Sequence, residues 1–246
     1  MSNFTTWRSL VDGEEVGGIP DSAVLHYPFK DRDNNTIVEV LQDENATANG
    51  TTNISNNWFE GFAEDFDGDD DRVEIPIQSW TSTVQNVNWG FAFTFTSNDN
   101  GSFENLFGGP GGGTGHDITV RSGVRGSSGS LETEMHSGGD RIEVYSDASG
   151  FFDGGKYRVF WRSTGNDASD LELYVNNSEE SLSIENNNSG FDWADFDPPD
   201  EPLFMGGDNN GGDLRRFTDM EGDNVIVYNN PTRGDIEEDY NIQPWS

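Results

Sequence analysis

Residues 89–96 read Trp-Gly-Phe-Ala-Phe-Thr-Phe-Thr, and this run decides the fold class. Phe91, Phe93 and Phe95 alternate with small or polar residues. Successive side chains of a β-strand point to opposite faces of the sheet, so a period of two predicts a strand with one buried face. We therefore predict a strand over residues 89–96 with the three phenylalanines in the core.

Segments of strand length recur on both sides of this run, with turn residues between them. They are 24–29, 72–77, 118–121, 141–145, 157–162, 171–175, 203–205 and 224–228. Helical periodicity is almost missing, and only Gly234 to Tyr240 predicts a short helix. About a dozen strands exceed what one twisted sheet holds comfortably. The pattern predicts an all-β, antiparallel fold of two stacked sheets.

Stretches rich in Asn, Asp, Gly and Ser separate the strand segments, and these residues favour turns. On this basis we predict linkers or loops at Asn45–Asn57, Gly108–Gly115, Asn186–Gly190 and Gly206–Gly212. The second of them superficially resembles a phosphate-binding loop, but no Lys-Ser/Thr pair follows it. It is therefore predicted to be a surface loop.

The charge of the chain indicates its solvent. The 246 residues include 46 acidic and 13 basic ones, for a net charge of -33, and only Lys30 and Lys156 are lysines. Aromatic residues make up 12% of the chain, which argues against a disordered acidic polypeptide. In molar salt the repulsion among surface carboxylates is screened. We predict a protein of an extreme halophile, of archaeal type, that repels nucleic acid and anionic membranes.

Two absences narrow the chemistry further. The chain has no Cys, which excludes disulfides, thiolate metal sites and cysteine nucleophiles. Residues Met1 to Pro20 lack the basic start and apolar run of a signal peptide, and no run of 18 apolar residues occurs. The expectation is a protein that enters neither the secretory path nor a bilayer by itself.

An ordered series of short blocks resembles a known superfamily. The blocks are Val24–Phe29, Ala63–Pro76, Trp89–Phe95 with Asn105–Gly108, Lys156–Trp161 with Leu171–Asn177, Pro202–Gly207 and Met220–Asn229. Together they resemble the laminin-G-like branch of the concanavalin A-like lectin/glucanase superfamily. Asn177 stands where that family usually has Gly. The resemblance implies a jelly-roll sandwich over residues 24–246, preceded by a segment of residues 1–23.

The preceding segment resembles the starts of laminin-G-like proteins encoded by haloarchaeal tailed viruses. Trp7–Leu10 and Ile19–Ser22 carry that resemblance. It implies a non-enzymatic protein on the virion surface, in a capsid decoration, turret or tail fibre, assembled in the host cytoplasm. Residues 1–23 would dock it to other virion proteins, and it would form a homo-oligomer that binds host glycans or a receptor. The alternatives are a cellular, lectin-like carbohydrate-binding module and, less favoured, a degenerate glycoside hydrolase.

The resemblance also implies calcium, because proteins of this fold often hold Ca²⁺ at one rim of the sandwich. Hard cations need several carboxylate and carbonyl oxygens. Asp31 after the first strand, Asp67 in the Asp-Gly turn and Asp223 in the closing strand are the expected ligands. With 46 acidic residues in the chain, solvated surface is the competing explanation for any cluster of aspartates.

Glycan recognition needs exposed aromatic rings and directional polar groups. Phe191, Trp193 and Phe196 lie in an acidic, turn-rich segment that does not have the pattern of a strand, so they are the candidate rim residues. Burial in the core is the alternative for Trp193. Trp89 and Trp161 are predicted to be core residues by their alternation.

Catalysis is not expected. The retaining jelly-roll glycosidases place two glutamates on one strand face as Glu-x-Asp-x-x-Glu. Glu-x-Asp occurs at 221–223 and 237–239, but Ile226 and Ile242 occupy the last position. The three histidines, His26, His116 and His136, fit no metal or nucleophile spacing. We predict no catalytic residue in this chain.

Overall fold

A computed structural model describes residues 10–11, 14–15, 19–29, 32–42, 44–55, 62–76, 81–97, 105–109, 116–122, 129–197, 202–210 and 213–241. Its strands, in chain order, are β1 Leu10–Val11, β2 Glu14–Glu15, β3 Ala23–Tyr27, β4 Arg32–Asp33, β5 Thr36–Ile37, β6 Ala46–Asn49, β7 Thr52–Ser55, β8 Phe62–Asp67, β9 Arg72–Ile75, β10 Trp89–Thr96, β11 Asn105–Gly109, β12 Asp117–Ser122, β13 Leu131–Ser137, β14 Asp140–Ser146, β15 Tyr157–Ser163, β16 Leu171–Val175, β17 Ser178–Glu180, β18 Leu182–Asn187, β19 Leu203–Met205, β20 Asp208–Asn210, β21 Asp213–Arg215 and β22 Asp219–Asn229. The helices are α1 Thr81–Val84 and α2 Arg233–Asn241, with 3-10 turns at Ala168–Asp170 and Trp193–Asp195.

Two large antiparallel sheets form a sandwich, which confirms the predicted all-β class. One sheet has eight strands, in the order β17-β16-β15-β10-β22-β8-β7, with β3 also paired to β22. The other has ten, in the order β18-β14-β13-β12-β11-β19-β9-β6-β5-β4. Two further sheets are two-stranded, β1-β2 and β20-β21. The β1-β2 sheet lies within the predicted docking segment, and the boundary between 1–23 and 24–246 stays a prediction.

The core lies between the two sheets and follows the alternation that predicted it. Phe91, Phe93 and Phe95 of β10 are at most 3% exposed and belong to the main hydrophobic cluster. Trp89 and Trp161 are also buried, as predicted. Alternation along a strand thus placed its apolar face correctly, because the pleat is a local property of the backbone.

The outer face of the eight-stranded sheet is also buried at its centre. A second hydrophobic cluster there consists of Ala92, Phe160, Tyr174, Ile226, Tyr228 and Ile236. Ile236 belongs to α2, so the helix covers this part of the sheet. A capping box begins the helix: the Thr232 backbone N–H donates to Asp235 Oδ2 at 2.6 Å, and the Asp235 N–H donates to Thr232 Oγ1 at 3.3 Å.

Four of the predicted linkers contain strands. Residues 45–57 include β6 and β7, which belong to different sheets, so the chain crosses from one sheet to the other between them. Residues 186 and 187 end β18, and residues 208–210 form β20. Gly108 and Gly109 are buried in β11, while residues 110–115 lie outside the described part of the chain. The loop predictions were wrong for the residues in these strands, because pairing with a neighbouring strand outweighs a weak local preference for turns.

Candidate functional site

The three aromatic residues predicted to line a glycan rim are buried. Phe191 is 4% exposed, and Trp193 and Phe196 are fully buried. The Trp193 ring meets Trp89 edge to face, with centroids 5.0 Å apart, and its Nε1–H donates to Ser163 Oγ at 3.1 Å. The prediction of exposed rings was wrong. The segment is a 3-10 turn that directs its aromatic side chains into the core and leaves Ala194 and Asp195 exposed.

The three predicted calcium ligands do not form one site. Asp31 lies outside the described residues. Asp67 pairs with Asp219 in the strand register, whereas Asp223 is four residues further along β22. That separation is roughly 13 Å at the usual rise of a strand. Asp223 is fully buried, where it lies in the electrostatic field of Lys156 and Arg158.

Asp67 belongs instead to a local group with Asp70 and Asp71. Ligand atoms of these three carboxylates lie within 4.8 Å of one another at the turn between β8 and β9. Burial and the neighbouring carboxylates raise the pKa of Asp71, while the backbone N–H of Asp67, which donates to Asp71 Oδ2 at 3.1 Å, opposes that rise. Two of the three side chains are exposed. An acidic group of this kind is common on such a surface without a bound ion.

Two residues of the segments considered for hydrolysis, Ile226 and Asp239, make structural contacts. Ile226 is fully buried in the cluster beneath α2. Asp239 of the second Glu-x-Asp accepts from Arg158 Nε at 2.8 Å and from Arg158 Nη2 at 2.6 Å, and the Tyr228 hydroxyl also donates to it. This buried ion pair connects α2 to β15 of the eight-stranded sheet.

A row of charged side chains covers the outer face of the ten-stranded sheet, and the sequence prediction did not find it. The strands β12, β13 and β14 are neighbours, and their register aligns Arg121 with Glu132 and Tyr145. The next aligned set on the same face is Thr119, Glu134 and Glu143, and the third is Asp117, His136 and Arg141. The alternate residues of these strands, including Ile118, Met135 and Val144, lie in the core. We call this surface the polar face.

Arg121 lies at one corner of the polar face and contacts three glutamates. Its Nε donates to Glu132 Oε1 at 2.8 Å, its Nη1 lies 2.9 Å from Glu134 Oε2, and its Nη2 lies 3.5 Å from Glu143 Oε1. The Arg121 and Glu143 side chains are 6% and 2% exposed, and that of Glu132 is fully buried. Charges buried to this degree must be paired, because desolvation otherwise makes them strongly unfavourable.

The residues at the edge of this network are more exposed to solvent. Arg141 Nη1 lies 2.8 Å from Glu134 Oε1, and His136 Nε2 donates to the same oxygen at 2.9 Å. The Arg141 side chain is 36% exposed and that of His136 is 24% exposed. Tyr145 is half-buried at the other end of the face. Solvent can therefore reach the Arg141 guanidinium, the His136 imidazole, the Glu134 carboxylate and the Tyr145 ring.

The pKa values of the acidic groups on the polar face shift in opposite directions. Burial raises the pKa of Asp117 to about 6, against the opposing effect of the His136 charge. Burial, with the charges of Glu134 and Glu132, also raises the pKa of Glu143. Burial also tends to raise the pKa of Glu134. The hydrogen bond from His136 and the charge of Arg121 outweigh the effect of burial and hold the pKa of Glu134 well below its usual range. Burial lowers the pKa of His136, but the hydrogen bond to Glu134 and the charge of Asp117 outweigh burial and raise it.

Two atoms of the polar face have no hydrogen-bond partner within the described ranges. They are Asp117 Oδ1 and Glu143 Oε2, both of which are buried. Glu143 Oε2 lies 3.7 Å from Arg141 Nη2, which is an ion-pair distance without a hydrogen bond. The sequence signal for this face was present at residues 131–136, where Leu, Thr and Met alternate with Glu, Glu and His. The missed strand was β13.

No protein-family model matches the chain, and no curated protein matches its sequence. Among the described residues, none of the helices has the length and hydrophobicity needed to cross a membrane.

Solved structures of similar fold include a toxin domain, a sialidase and a domain of an arabinanase. The receptor-binding domain of a botulinum neurotoxin, mosaic serotype C/D, has a TM-score of 0.63 at 14% identity, over 91% of this chain and 51% of that chain. The Trypanosoma rangeli sialidase in complex with sialic acid has a TM-score of 0.58 at 12% identity, over 93% of this chain and 34% of the sialidase. Domain 4 of an extracellular arabinanase from Geobacillus stearothermophilus, in complex with arabinotriose, has a TM-score of 0.57 at 14% identity, over 89% of this chain and 98% of that domain.

This chain thus spans about a third of the sialidase and half of the toxin domain, but nearly all of the arabinanase domain. At 12–14% identity these similarities establish the fold alone. The chain is a jelly-roll β-sandwich.

Proposed function

We propose that this protein is a carbohydrate-binding β-sandwich and that its polar face holds the glycan. The observation that carries the proposal is the series of solvent-reachable groups along the polar face, with His136 and Arg141 at one end, Glu134 between, and Tyr145 at the other end, four residues from Arg141 on β14. The complex of the similar arabinanase domain with arabinotriose supports it. Sugars are bound by charged or amide groups that exchange hydrogen bonds with hydroxyls, together with a ring that packs on the sugar.

The ligand class follows from charge. The chain carries a net charge of -33, and Glu134 on the polar face stays ionised because of its lowered pKa. Molar salt screens the net charge of the surface, but it screens a partly buried charge such as that of Glu134 much less, so an anionic group in contact with Glu134 would still be repelled. We therefore propose a neutral glycan whose hydroxyls donate to Glu134 and accept from Arg141.

The experiment is a glycan array in molar NaCl, with Tyr145→Ala and Arg141→Ala as test variants. Arg162→Ala is the matched control, because Arg162 lies on the eight-stranded sheet in a half-exposed pair with Glu172 at 3.1 Å. Both test variants should lose the signal while the control keeps it. A signal that survives both test variants, or that the control also loses, would contradict the assignment of the polar face.

We also propose the setting expected from the sequence: a virion surface protein of a haloarchaeal virus, docked through residues 1–23, homo-oligomeric and active in molar salt. The near absence of lysine supports the high-salt part of this proposal. The alternative is a cellular lectin-like module of a halophilic archaeon. Mass spectrometry of purified virions separates the two, since a cellular module would be absent from washed particles. High copy number would favour the capsid and low copy number the tail.

We further propose that the protein is not an enzyme. One observation favours hydrolysis instead: the pKa values of Asp117 and Glu143 are raised while that of Glu134 is lowered, a division that acid–base catalysis uses. Arg121 and Arg141 nevertheless hold Glu134 in ion pairs, which weakens it as a nucleophile. A screen on β-glucans and arabinans should be blank. Turnover that Glu134→Gln abolishes would overturn this proposal.

A further inference from the structure

The edge strand β18 carries a β-bulge beside the polar face. Ser183 of β18 pairs with Tyr145 of β14, and three residues further on Asn186 pairs with Glu143. Tyr145 and Glu143 are two residues apart, so their side chains share the polar face. Ser183 and Asn186 are three apart and would point to opposite faces in a regular strand. The register shift between the two pairs supplies one extra residue in β18, which turns the Asn186 side chain onto the polar face.

Asn186 thereby enters a row of polar side chains that crosses three neighbouring strands. The register aligns Glu134 of β13, Glu143 of β14 and Asn186 of β18, which we call the cross-strand row. Neighbouring strands lie about 4.8 Å apart, so the row is roughly 10 Å wide. Asn186 is half-buried, and its amide can both donate and accept hydrogen bonds. A sugar on this row would meet an amide at one side and, at the other, the Glu134 carboxylate with the Arg141 guanidinium that contacts it.

Glu143, in the middle of the cross-strand row, has an acceptor atom that the described residues do not fill. Its side chain is 2% exposed, and its Oε2 has no hydrogen-bond partner within the described ranges. Arg141 Nη2 lies 3.7 Å from this oxygen, which is too far for a hydrogen bond. Buried carboxylate oxygens are normally hydrogen-bonded, so an exception calls for an explanation such as a ligand. A sugar hydroxyl that donates to Glu143 Oε2 and accepts from Arg141 Nη2 would bridge the two groups.

The Tyr145 ring lies one step further along β14, about 7 Å from the cross-strand row. A sugar residue advances its chain by roughly 5 Å, because single bonds of about 1.5 Å join its atoms. Sugar rings pack on aromatic rings, and their hydroxyls exchange hydrogen bonds with amides and carboxylates. A sugar that packs on Tyr145 therefore leaves the cross-strand row to the sugar linked to it. The spacing matches two neighbouring residues of an extended glycan.

We propose that the polar face binds a linear oligosaccharide through two linked sugars, with the glycan chain along β14 and Asn186 as a further binding residue. One sugar packs on Tyr145, and the next exchanges hydrogen bonds with the cross-strand row and Arg141. The inference rests on the proposed function and narrows its ligand class, because a monosaccharide reaches only one of the two groups of contacts.

The test is calorimetric titration in molar NaCl with the mono-, di- and trisaccharides of arabinose, xylose, glucose, galactose and mannose. For the series that binds, affinity should rise about tenfold or more from the monosaccharide to the disaccharide, because the second sugar adds several hydrogen bonds or a ring contact. This first step should be larger than the step from disaccharide to trisaccharide. Monosaccharides that bind as tightly as their disaccharides would overturn the inference and leave the proposed function standing. No binding by any of these sugars would overturn the proposed function itself.

Variants of Asn186 test its role directly. Asn186→Ala removes the amide, and Asn186→Asp keeps its size but removes the two N–H donors, so each should weaken disaccharide binding by about tenfold. Asn86→Ala is the matched control, because Asn86 is an exposed amide that follows α1 and donates to the Ser82 carbonyl oxygen at 2.8 Å. It should bind as the wild type does. Wild-type affinity in Asn186→Ala, or an equal loss in Asn86→Ala, would show that Asn186 does not bind the glycan. Circular dichroism of each variant shows whether it is folded.

Discussion

Removing the carboxylate of Asp239 should be among the most damaging single changes in this protein. Asp239 is 1% exposed and accepts two hydrogen bonds from Arg158, at 2.8 and 2.6 Å, as well as one from Tyr228. In Asp239→Asn the side chain keeps its size, but the buried Arg158 loses its counter-charge. Breaking a buried pair in this way costs about 3–5 kcal/mol. For a domain of this length, the loss corresponds to roughly 6–20 °C in the unfolding midpoint.

Urea unfolding in molar KCl, followed by tryptophan fluorescence, measures the change in the free energy of unfolding. The control is Arg162→Ala, which breaks a half-exposed pair and should cost less than about 1 kcal/mol. The double variant Arg158→Met/Asp239→Leu should be less destabilised than Asp239→Asn, because it leaves no unpaired charge. If Asp239→Asn stays within about 1 kcal/mol of the wild type, the pair does not fasten α2 as argued.

Three further predictions concern stability. Burial lowers the pKa of His26 to about 4 in the folded protein. The unfolded chain, in which this pKa is about 6.5, therefore binds a proton at His26 at pH values where the folded chain does not. As the pH falls from about 6.5 to about 4, the free energy of unfolding should therefore decrease by about 3 kcal/mol. His26→Gln should flatten that part of a pH series of urea midpoints. Gly206→Ala should cost more than about 1–3 kcal/mol, because Gly206 has a φ of +88° and a Cβ there would collide with the Phe66 ring. Gly150→Ala has a similar φ of +95° but open space, so it should cost only the backbone strain, and equal unfolding midpoints would refute the role of Phe66. Trp193→Ala should destabilise by about 3–5 kcal/mol in the same urea assay, whereas a stable variant would mean that this ring is not part of the core.

The sequence predicted the strands well where alternation was strong. The predicted run 89–96 coincides with β10, residues 171–175 with β16 and residues 203–205 with β19. The short helix was also found, with α2 at Arg233–Asn241 against a prediction of Gly234–Tyr240. Each of these follows from a local pattern that needs no knowledge of partners.

The predicted sites were less accurate because they depend on partners. Phe191 and Trp193 lie in a segment with no strand pattern, yet the turn directs their rings inward. Asp67 and Asp223 lie on neighbouring strands, but the register separates them. The polar face was missed because β13 was not recognised, although its alternation was visible in the sequence.

The sequence by itself determined the fold class, the acidic surface and the apolar face of the main strands, since composition and alternation are properties of the chain alone. The tertiary structure decided which charged residues meet. Arg121 reaches Glu132, Glu134 and Glu143 only because three strands align in one register. Asp208 lies close to Gly108 only because a hairpin packs on β11 from about a hundred residues further along the chain. Register and packing are set by contacts distant in sequence, so no local pattern contains them.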